Sequence, residues 1–116
     1  MSDCIFCQIV EGKIPSKIVY EDDEMIAFDD IDPRAPVHVL VVPREHISTL
    51  NDMDASREGL LGRMVLAATG IAKERGVADS GYRILVNCNS DGGQVVFHLH
   101  LHIIGGRHLG PMVQST

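Results

Sequence analysis

The sequence lacks the segments that would place the chain in a membrane or outside the cell. Its apolar runs fall far short of the roughly 20 residues that span a bilayer. Residues 1–10 carry no basic run ahead of an apolar stretch, so we expect no secretory leader. Three cysteines, Cys4, Cys7 and Cys88, are too few for a disulfide framework. These absences predict a cytoplasmic protein with no membrane partner.

Basic residues are also scarce. The chain carries 10 Lys and Arg against 16 Asp and Glu, a net charge of −6. Because affinity for nucleic acid depends on neutralising many phosphates, we expect no nucleic acid polymer as a ligand. The 116 residues predict one domain over residues 1–116. A chain this small has a modest margin of stability, so we expect a homodimer whose second copy covers an apolar face.

Strand and helix patterns divide the chain. Apolar residues at helical spacing, among them Leu60, Met64 and Ala68, predict a long helix that ends at Gly76. A shorter helix is predicted near the N-terminus. Apolar and β-branched runs predict strands at residues 18–20, 25–28, 37–42, 82–87 and 95–104. Together these elements predict an α+β fold with a mainly antiparallel five-stranded sheet and the long helix on one face.

Three histidines alternate in the last predicted strand. Because successive strand residues point to opposite faces, His98, His100 and His102 share one face, and Phe97 and Leu99 lie on the core face. Adjacent imidazoles resist being protonated together, so at least one is expected to be neutral near pH 7 and able to act as a nucleophile or base. Two other interpretations stay open: a polar sheet face, and a three-histidine metal site.

A glycine-rich turn precedes the histidines. Asn87, Ser90, Gly92, Gly93 and Gln94 supply small side chains, amides and backbone N–H groups. Such a turn is typical of an ordinary hairpin, and successive N–H groups can also bind an anion. Beside the histidines it becomes a candidate phosphate site.

These residues resemble a known family. The segment from Gly92 to Ile104, GGQVVFHLHLHII, is similar to the signature of the histidine-triad (HIT) family, and the segments around Ile14, Ala35 and His46 resemble family segments in the same order. The resemblance covers nearly the whole chain. It implies the HIT-like fold and, most closely, the branch of histidine-triad nucleotide-binding proteins. Members of that branch are homodimeric purine nucleoside phosphoramidate hydrolases, which bind purine nucleotides such as AMP or GMP.

The resemblance also implies a mechanism. His100 matches the nucleophile that attacks the α-phosphorus and becomes transiently nucleotidylated, after which water releases the nucleotide. His98 and His102 match residues that orient this imidazole and move protons. His38 matches an accessory histidine of the active site.

The nucleotide-binding positions carry over in the same way. Asp30 matches a carboxylate that accepts hydrogen bonds from the ribose. The alternative for the base-pocket residues is plain core packing. The phosphate positions are Asn87, Gly93, Gln94 and Val95, and the base-pocket positions are Ile5, Phe6, Ile9, Phe28 and Ile31.

Two positions depart from the family pattern. Close relatives often carry Ser where this chain has Val95, which cannot donate a hydrogen bond, so we expect altered handling of the leaving group. They also often carry a Trp near the C-terminus, and this chain has none. The amine specificity of the relatives therefore does not carry over.

The Cys4-x-x-Cys7 pair has the spacing of half a zinc site. His46 and His98 resemble the two further ligands of those HIT proteins that hold structural zinc. The alternative is a pair of small buried apolar residues near a helix start. Cys88 is expected in the core.

Three functions are compatible with these residues. The first is hydrolysis of purine nucleoside 5′-phosphoramidates. The second is another HIT reaction, either dinucleoside polyphosphate cleavage or nucleotidyl transfer. The third is a nucleotide-binding regulatory module. The neighbourhoods of Ile14 and Ala35 favour the first.

Overall fold

The computed structural model describes residues 3–113. Two short 3-10 turns, Leu50–Asp52 and Ala55–Arg57, lead into the longer of its two α-helices. The helices are α1 (Ile5–Val10) and α2 (Glu58–Glu74), and the strands are β1 (Ile18–Glu21), β2 (Met25–Asp29), β3 (Val37–Pro43), β4 (Tyr82–Leu85) and β5 (Leu101–Gly105). The α+β class is confirmed.

The five strands form one sheet in the order β1-β2-β3-β5-β4. Every neighbouring pair is antiparallel, which confirms the predicted sheet. The last strand in the sequence lies between β3 and β4, so His102 on β5 is paired across from Leu40 on β3. This register brings His102 beside His38, which lies two residues before Leu40 on the same face of β3.

The sheet buries apolar side chains on both faces. Met64, Ala68 and Ile71 of α2 pack with alternate residues of the central strands, such as Val39 and Ile103. On the opposite face, Phe6 of α1 packs with a smaller cluster formed by Ile26, Phe28, Leu40 and Val42. Because strand residues alternate between faces, His38 and His102 lie on the side of α1 rather than of α2.

The long helix follows a capped 3-10 turn and is followed by a left-handed glycine. The Asp54 carboxylate accepts from the Ser56 N–H at 2.9 Å and caps the turn that precedes α2. Gly76 follows the last helical turn with φ +76°, the left-handed conformation that glycine adopts freely. Within residues 3–113, no helix combines the length and apolar character needed to cross a membrane.

The segment before β5 differs from the prediction. The strand expected at residues 95–104 begins only at Leu101, and β4 ends at Leu85 rather than at residue 87. Residues 95–100 instead lie against the segment after β3, where the Leu99 N–H donates to the Ile47 carbonyl at 2.6 Å. Phe97, expected in the core, is 46% exposed as a result. The predicted start of the strand and the predicted burial of Phe97 are therefore wrong. The predicted faces are confirmed for the other residues: Leu99, Leu101 and Ile103 pack on the α2 side, whereas the rings of His98 and His100 contact Phe6 of α1.

Candidate active site

A cavity of about 470 Å³ opens on the α1 side of the sheet. Its wall is built from the loop after β2, from β3 and β5, and from the turn that follows β4. Eight residues singled out in the sequence line it: Phe6, Asp30, His38, Asn87, Gly93, Val95, His100 and His102. The topology thus gathers side chains that are up to 96 positions apart in the chain (Phe6 to His102).

His100 presents one ring nitrogen to this cavity. Its Nδ1 lies 2.8 Å from the carbonyl oxygen of His98, so Nδ1 carries the proton and donates it. The Nε2 atom of the neutral ring therefore keeps its lone pair. Burial lowers the pKa of His100 below the usual range, although the His98 carbonyl acts in the opposite direction. At pH 7 the ring is neutral, which is the nucleophilic form of imidazole.

His38 and His102 are joined by a hydrogen bond whose donor is fixed by the neighbouring backbone. The Arg34 N–H donates to Nδ1 of His38 at 3.0 Å, so the His38 proton sits on Nε2. That Nε2 lies 2.9 Å from Nδ1 of His102 and donates to it. The His102 proton is then on Nε2, a buried atom with no hydrogen-bond partner among residues 3–113. The pair therefore leaves one unsatisfied N–H donor in a residue that lines the cavity.

The cavity disfavours positive charge on these rings. Burial, together with the neighbouring His100 and His38, lowers the pKa of His102 to about 4. Burial also lowers the pKa of His38, even though the Asp30 carboxylate opposes this effect from 3.4 Å. Both rings are neutral at pH 7. Asp30 is held in turn by the Asp32 N–H, which donates to its Oδ1 at 2.9 Å.

His98 is turned away from the cavity. The ring is fully buried, and its Nε2 donates to the Pro43 carbonyl at 2.8 Å. Its Nδ1 faces the Sγ atoms of Cys4 and Cys7 at 3.3 and 3.4 Å. Because His98 points to these thiols, the three triad rings do not converge, and the three-histidine metal site left open by the sequence is not formed. His98 meets the site through its carbonyl, which orients His100.

Cys4, Cys7, His46 and His98 place four ligand atoms within 4.8 Å of one another. The Cys7 Sγ lies 3.2 Å from Nδ1 of His46. Tetrahedral zinc with bonds of about 2.0–2.3 Å keeps its ligands about 3.5 Å apart, so the sulfur–nitrogen distances fit zinc. The outer nitrogens are also held, His98 by Pro43 and His46 by the Ser48 hydroxyl at 3.2 Å.

A second group of possible ligands, Asp30, His38 and His102, also lies close together. It does not fit a metal ion. The Arg34 N–H occupies Nδ1 of His38, which puts a proton on the Nε2 atom that would have to bind the ion. This group is a hydrogen-bonded chain instead.

The turn after β4 is built differently from the expected anion site. The N–H groups of Gly93 and Gln94 donate within the turn, to the carbonyls of Ser90 and Asn89, both at 3.0 Å. Gln94 is buried and its amide binds protein backbone, so it does not line the cavity. Asn87, Gly93 and Val95 do line it, and Val95 is 86% exposed at the rim.

Of the five residues predicted to surround a purine base, only Phe6 lines the cavity. Phe6 lines the cavity, with its ring edge-on to His100 at a centroid distance of 5.0 Å. Phe28 packs behind Phe6 in the smaller core, and Ile9 lies at the edge of that core. Ile5 is 44% exposed outside the cavity. Ile31 is 94% exposed and borders a neighbouring hollow that shares Asp30 with the cavity.

Several lining residues were missed by the sequence analysis. Leu40 and Ile104 could have been found, because each lies two positions from a histidine on its strand and so shares its face. Arg34 contributes through its backbone, for which the sequence has no signal. The missed residues are Asp32, Arg34, Leu40, Leu85, Val96 and Ile104.

The fold and the site define a small α+β protein that presents buried, neutral histidines to a cavity beside its sheet. The HIT domain family matches residues 11–109. The chain belongs to this family, as its histidine pattern predicted.

Three similar proteins illustrate the relationship. A purine nucleoside phosphoramidase from Escherichia coli (strain K12) is 50% identical over 111 residues, 96% of this chain and 93% of the relative. The structure of a histidine triad protein from Clostridium difficile covers 97% of this chain and 98% of its own, at 45% identity and a TM-score of 0.93. The structure of a Zn-bound histidine triad family protein from Mycobacterium smegmatis covers 96% of this chain and 80% of its own, at 29% identity and a TM-score of 0.80.

Proposed function

We propose that this protein hydrolyses purine nucleoside 5′-phosphoramidates to a nucleoside monophosphate and an amine. The observation that carries the proposal is the geometry of His100: Nδ1 donates to the His98 carbonyl, and the neutral ring lines a cavity. A neutral imidazole with a fixed tautomer is a good nucleophile, and a protonated one is a good leaving group. The 50% identical phosphoramidase supports this choice of substrate.

The reaction has two displacements at phosphorus. In the first, Nε2 of His100 attacks the α-phosphorus, and the bond from phosphorus to the amine breaks. In the second, water displaces His100 and releases the monophosphate. One water thus supplies the oxygen of the monophosphate and, in the overall balance, the proton of the amine. The unsatisfied Nε2–H of His102 donates to the phosphoryl group as negative charge develops there.

The remaining cavity residues bind the nucleotide. Asn87, Gly93 and Val95 face the phosphate, and Gln94 holds the turn behind them. Asp30 accepts from the ribose hydroxyls and also steadies His38. Phe6 and Phe28, with Ile5, Ile9 and Ile31 at the open edge, form the apolar surroundings of a purine such as that of AMP or GMP.

A steady-state assay of an adenosine phosphoramidate tests this function. The wild-type protein should turn over the substrate, and His100→Ala should lose at least about 10³-fold in kcat while it still binds AMP. A dinucleoside polyphosphate serves as the comparison substrate. Faster cleavage of the dinucleotide would favour the second HIT reaction. Slow turnover with equal binding by both proteins would favour a regulatory module.

Zinc belongs to the proposal as a structural ion. Cys4, Cys7, His46 and His98 would hold it, for the distances given above. When bound, zinc supplies rigidity and no chemistry at phosphorus. Because His98 is both a zinc ligand and the acceptor for His100, the ion would stabilise the carbonyl that fixes the nucleophile.

The protein is further proposed to act as a homodimer in the cytoplasm. Leu66 and Val65 on the outer face of α2 are 68% and 39% exposed, and β4 lies at an edge of the sheet. A second copy that covers this area would remove apolar surface from water. Light scattering of Leu66→Glu against the wild type, and cell fractionation, test the two assignments.

A further inference from the structure

Gln94 is a buried amide that lies behind the cavity wall. It is 6% exposed. Its Nε2 donates to the carbonyls of Ser48 at 2.8 Å and Val96 at 3.0 Å, and its Oε1 accepts from the Asn89 N–H at 2.9 Å. The two amide hydrogens and the amide oxygen are thus all bound to backbone groups, two in the same turn and one on the segment after β3. A buried amide that is fully satisfied in this way rigidifies its surroundings.

The turn that Gln94 closes is not held by regular secondary structure. Asn89 has φ 61°, a left-handed conformation that costs free energy for a residue with a Cβ. Between the end of β4 at Leu85 and the start of β5 at Leu101, strand pairing does not fix the backbone. The Gln94 side chain connects both ends of the turn, and it connects the turn to Ser48 on the segment after β3.

The turn also forms part of the cavity wall. Gly93 and Val96, on either side of the Gln94–Val95 pair, line the same cavity as His100, and so does Asn87. Val96 is itself an acceptor for the Gln94 amide. A change in the Gln94 side chain is therefore transmitted through one hydrogen bond to the surface that faces the phosphate.

We propose that Gln94 is a positioning residue, whose side chain sets the distance between the phosphate-facing wall and His100. The proposal rests on the function proposed above and names a role other than the phosphate contact that the sequence suggested for this residue. It predicts that Gln94 governs how the protein holds the phosphate and leaves its affinity for the nucleoside unchanged.

The test compares the binding of AMP with that of adenosine, by calorimetry, in Gln94→Met and Gln94→Glu. Methionine keeps the shape and loses all three bonds, whereas glutamate keeps the acceptor and loses both donors. We expect the Kd of AMP to rise about 3- to 10-fold in both variants. The kcat for an adenosine phosphoramidate should fall at least about tenfold because the wall moves relative to His100. The Kd of adenosine should stay within a factor of about two.

Ile71→Val is the matched control. Ile71 is buried on the α2 side of the sheet, so this variant lowers stability without touching the turn. It should leave both affinities unchanged. If the Gln94 variants weaken AMP and adenosine equally, or weaken neither, Gln94 has no positioning role.

Amide hydrogen exchange in the wild type tests the proposal even if the Gln94 variants do not fold. The Asn89 N–H should exchange slowly because it donates to Gln94. Exchange of this amide at the rate of an unstructured peptide would overturn the proposal whatever the variants do. Failure of the wild type to bind AMP or to turn over the phosphoramidate would count against the proposed function. Gln94 variants with the wild-type Kd for AMP and the wild-type kcat would instead count against the positioning role alone.

Discussion

Nδ1 of His100 donates to the carbonyl oxygen of His98 over 2.8 Å. That carbonyl is available because β5 begins only at Leu101, so His98 has no partner in the strand ladder. The bond fixes the tautomer of His100 and leaves Nε2 as the nucleophile. The irregular backbone before β5, which the sequence did not predict, thus contributes directly to the chemistry.

The pKa of His102 provides a first prediction. Burial lowers it to about 4, so NMR of the ring protons should show no titration of His102 between pH 8 and pH 5. The unfolded ring has a pKa near 6.5 and takes up its proton first as the pH falls. The contribution of His102 to stability is therefore fully present above pH 6.5 and is lost as the pH falls towards 4. His102→Asn identifies the resonance, and a titration near pH 6.5 would contradict the burial of this ring.

Metal analysis provides a second prediction. Purified protein should hold one zinc per chain, and Cys4→Ser should lose it because Cys4 is one of the four clustered ligands. The variant should also unfold at a temperature at least about 5 °C lower. Cys88→Ser, outside the cluster, should keep both the metal and the wild-type stability. A wild-type protein without stoichiometric zinc would eliminate the site.

Gly92 provides a third prediction, about stability. A Cβ at this position would lie 2.5 Å from the carbonyl oxygen of Cys88, a backbone contact that cannot be relieved by rotating a side chain. Gly92→Ala should destabilise the protein by about 1–3 kcal/mol in urea denaturation. Gly62→Ala on α2 is the control, since nothing lies within 4 Å of its Cβ and alanine favours the helix by about 1 kcal/mol. The same sign for both substitutions would disprove the close approach.

Val95 provides a fourth prediction, about turnover. Its side chain lines the cavity and is 86% exposed at the rim, but it has no hydrogen-bonding group. In Val95→Ser a hydroxyl can donate to the phosphoryl oxygen or the leaving group, which should raise kcat about tenfold. Val95→Ala removes the same methyl groups without adding a donor. Equal rates for the serine and alanine variants would show that a hydroxyl at this position has no effect.

The elements that depend on neighbouring residues, such as α2, could be predicted from the sequence. The spacing of Met64 and Ala68 and the glycine at 76 sufficed for α2, because an amphipathic helix is encoded in about 17 neighbouring residues. The start of β5 could not be predicted in this way. Residues 97–104 alternate as regularly as a strand does, but the Leu99 N–H donates to Ile47 and the preceding Gln94 side chain donates to Ser48, 52 and 46 positions away in the chain.

The residues of the site could also be predicted in part, but not the partners and proton positions of its histidines. Phe6 and Asp30 were singled out by resemblance and do line the cavity. The different partners of His98, which faces the cysteine thiols, and of His100, which lines the cavity, could not be read from the sequence, because a regular alternation treats the two rings as equivalent. Nor could the proton on Nε2 of His38, which follows from a backbone N–H four residues away.

The central claim is that His100 bonds covalently to phosphorus. Rapid quenching of the wild type with an adenosine phosphoramidate, followed by mass spectrometry of its peptides, tests it most directly. The account predicts an added adenylyl group on the peptide that contains His100, formed and lost at rates compatible with turnover. It also predicts that this peptide gains no such group in His100→Ala. Full turnover with an unmodified His100, or turnover that survives its replacement, would contradict the account.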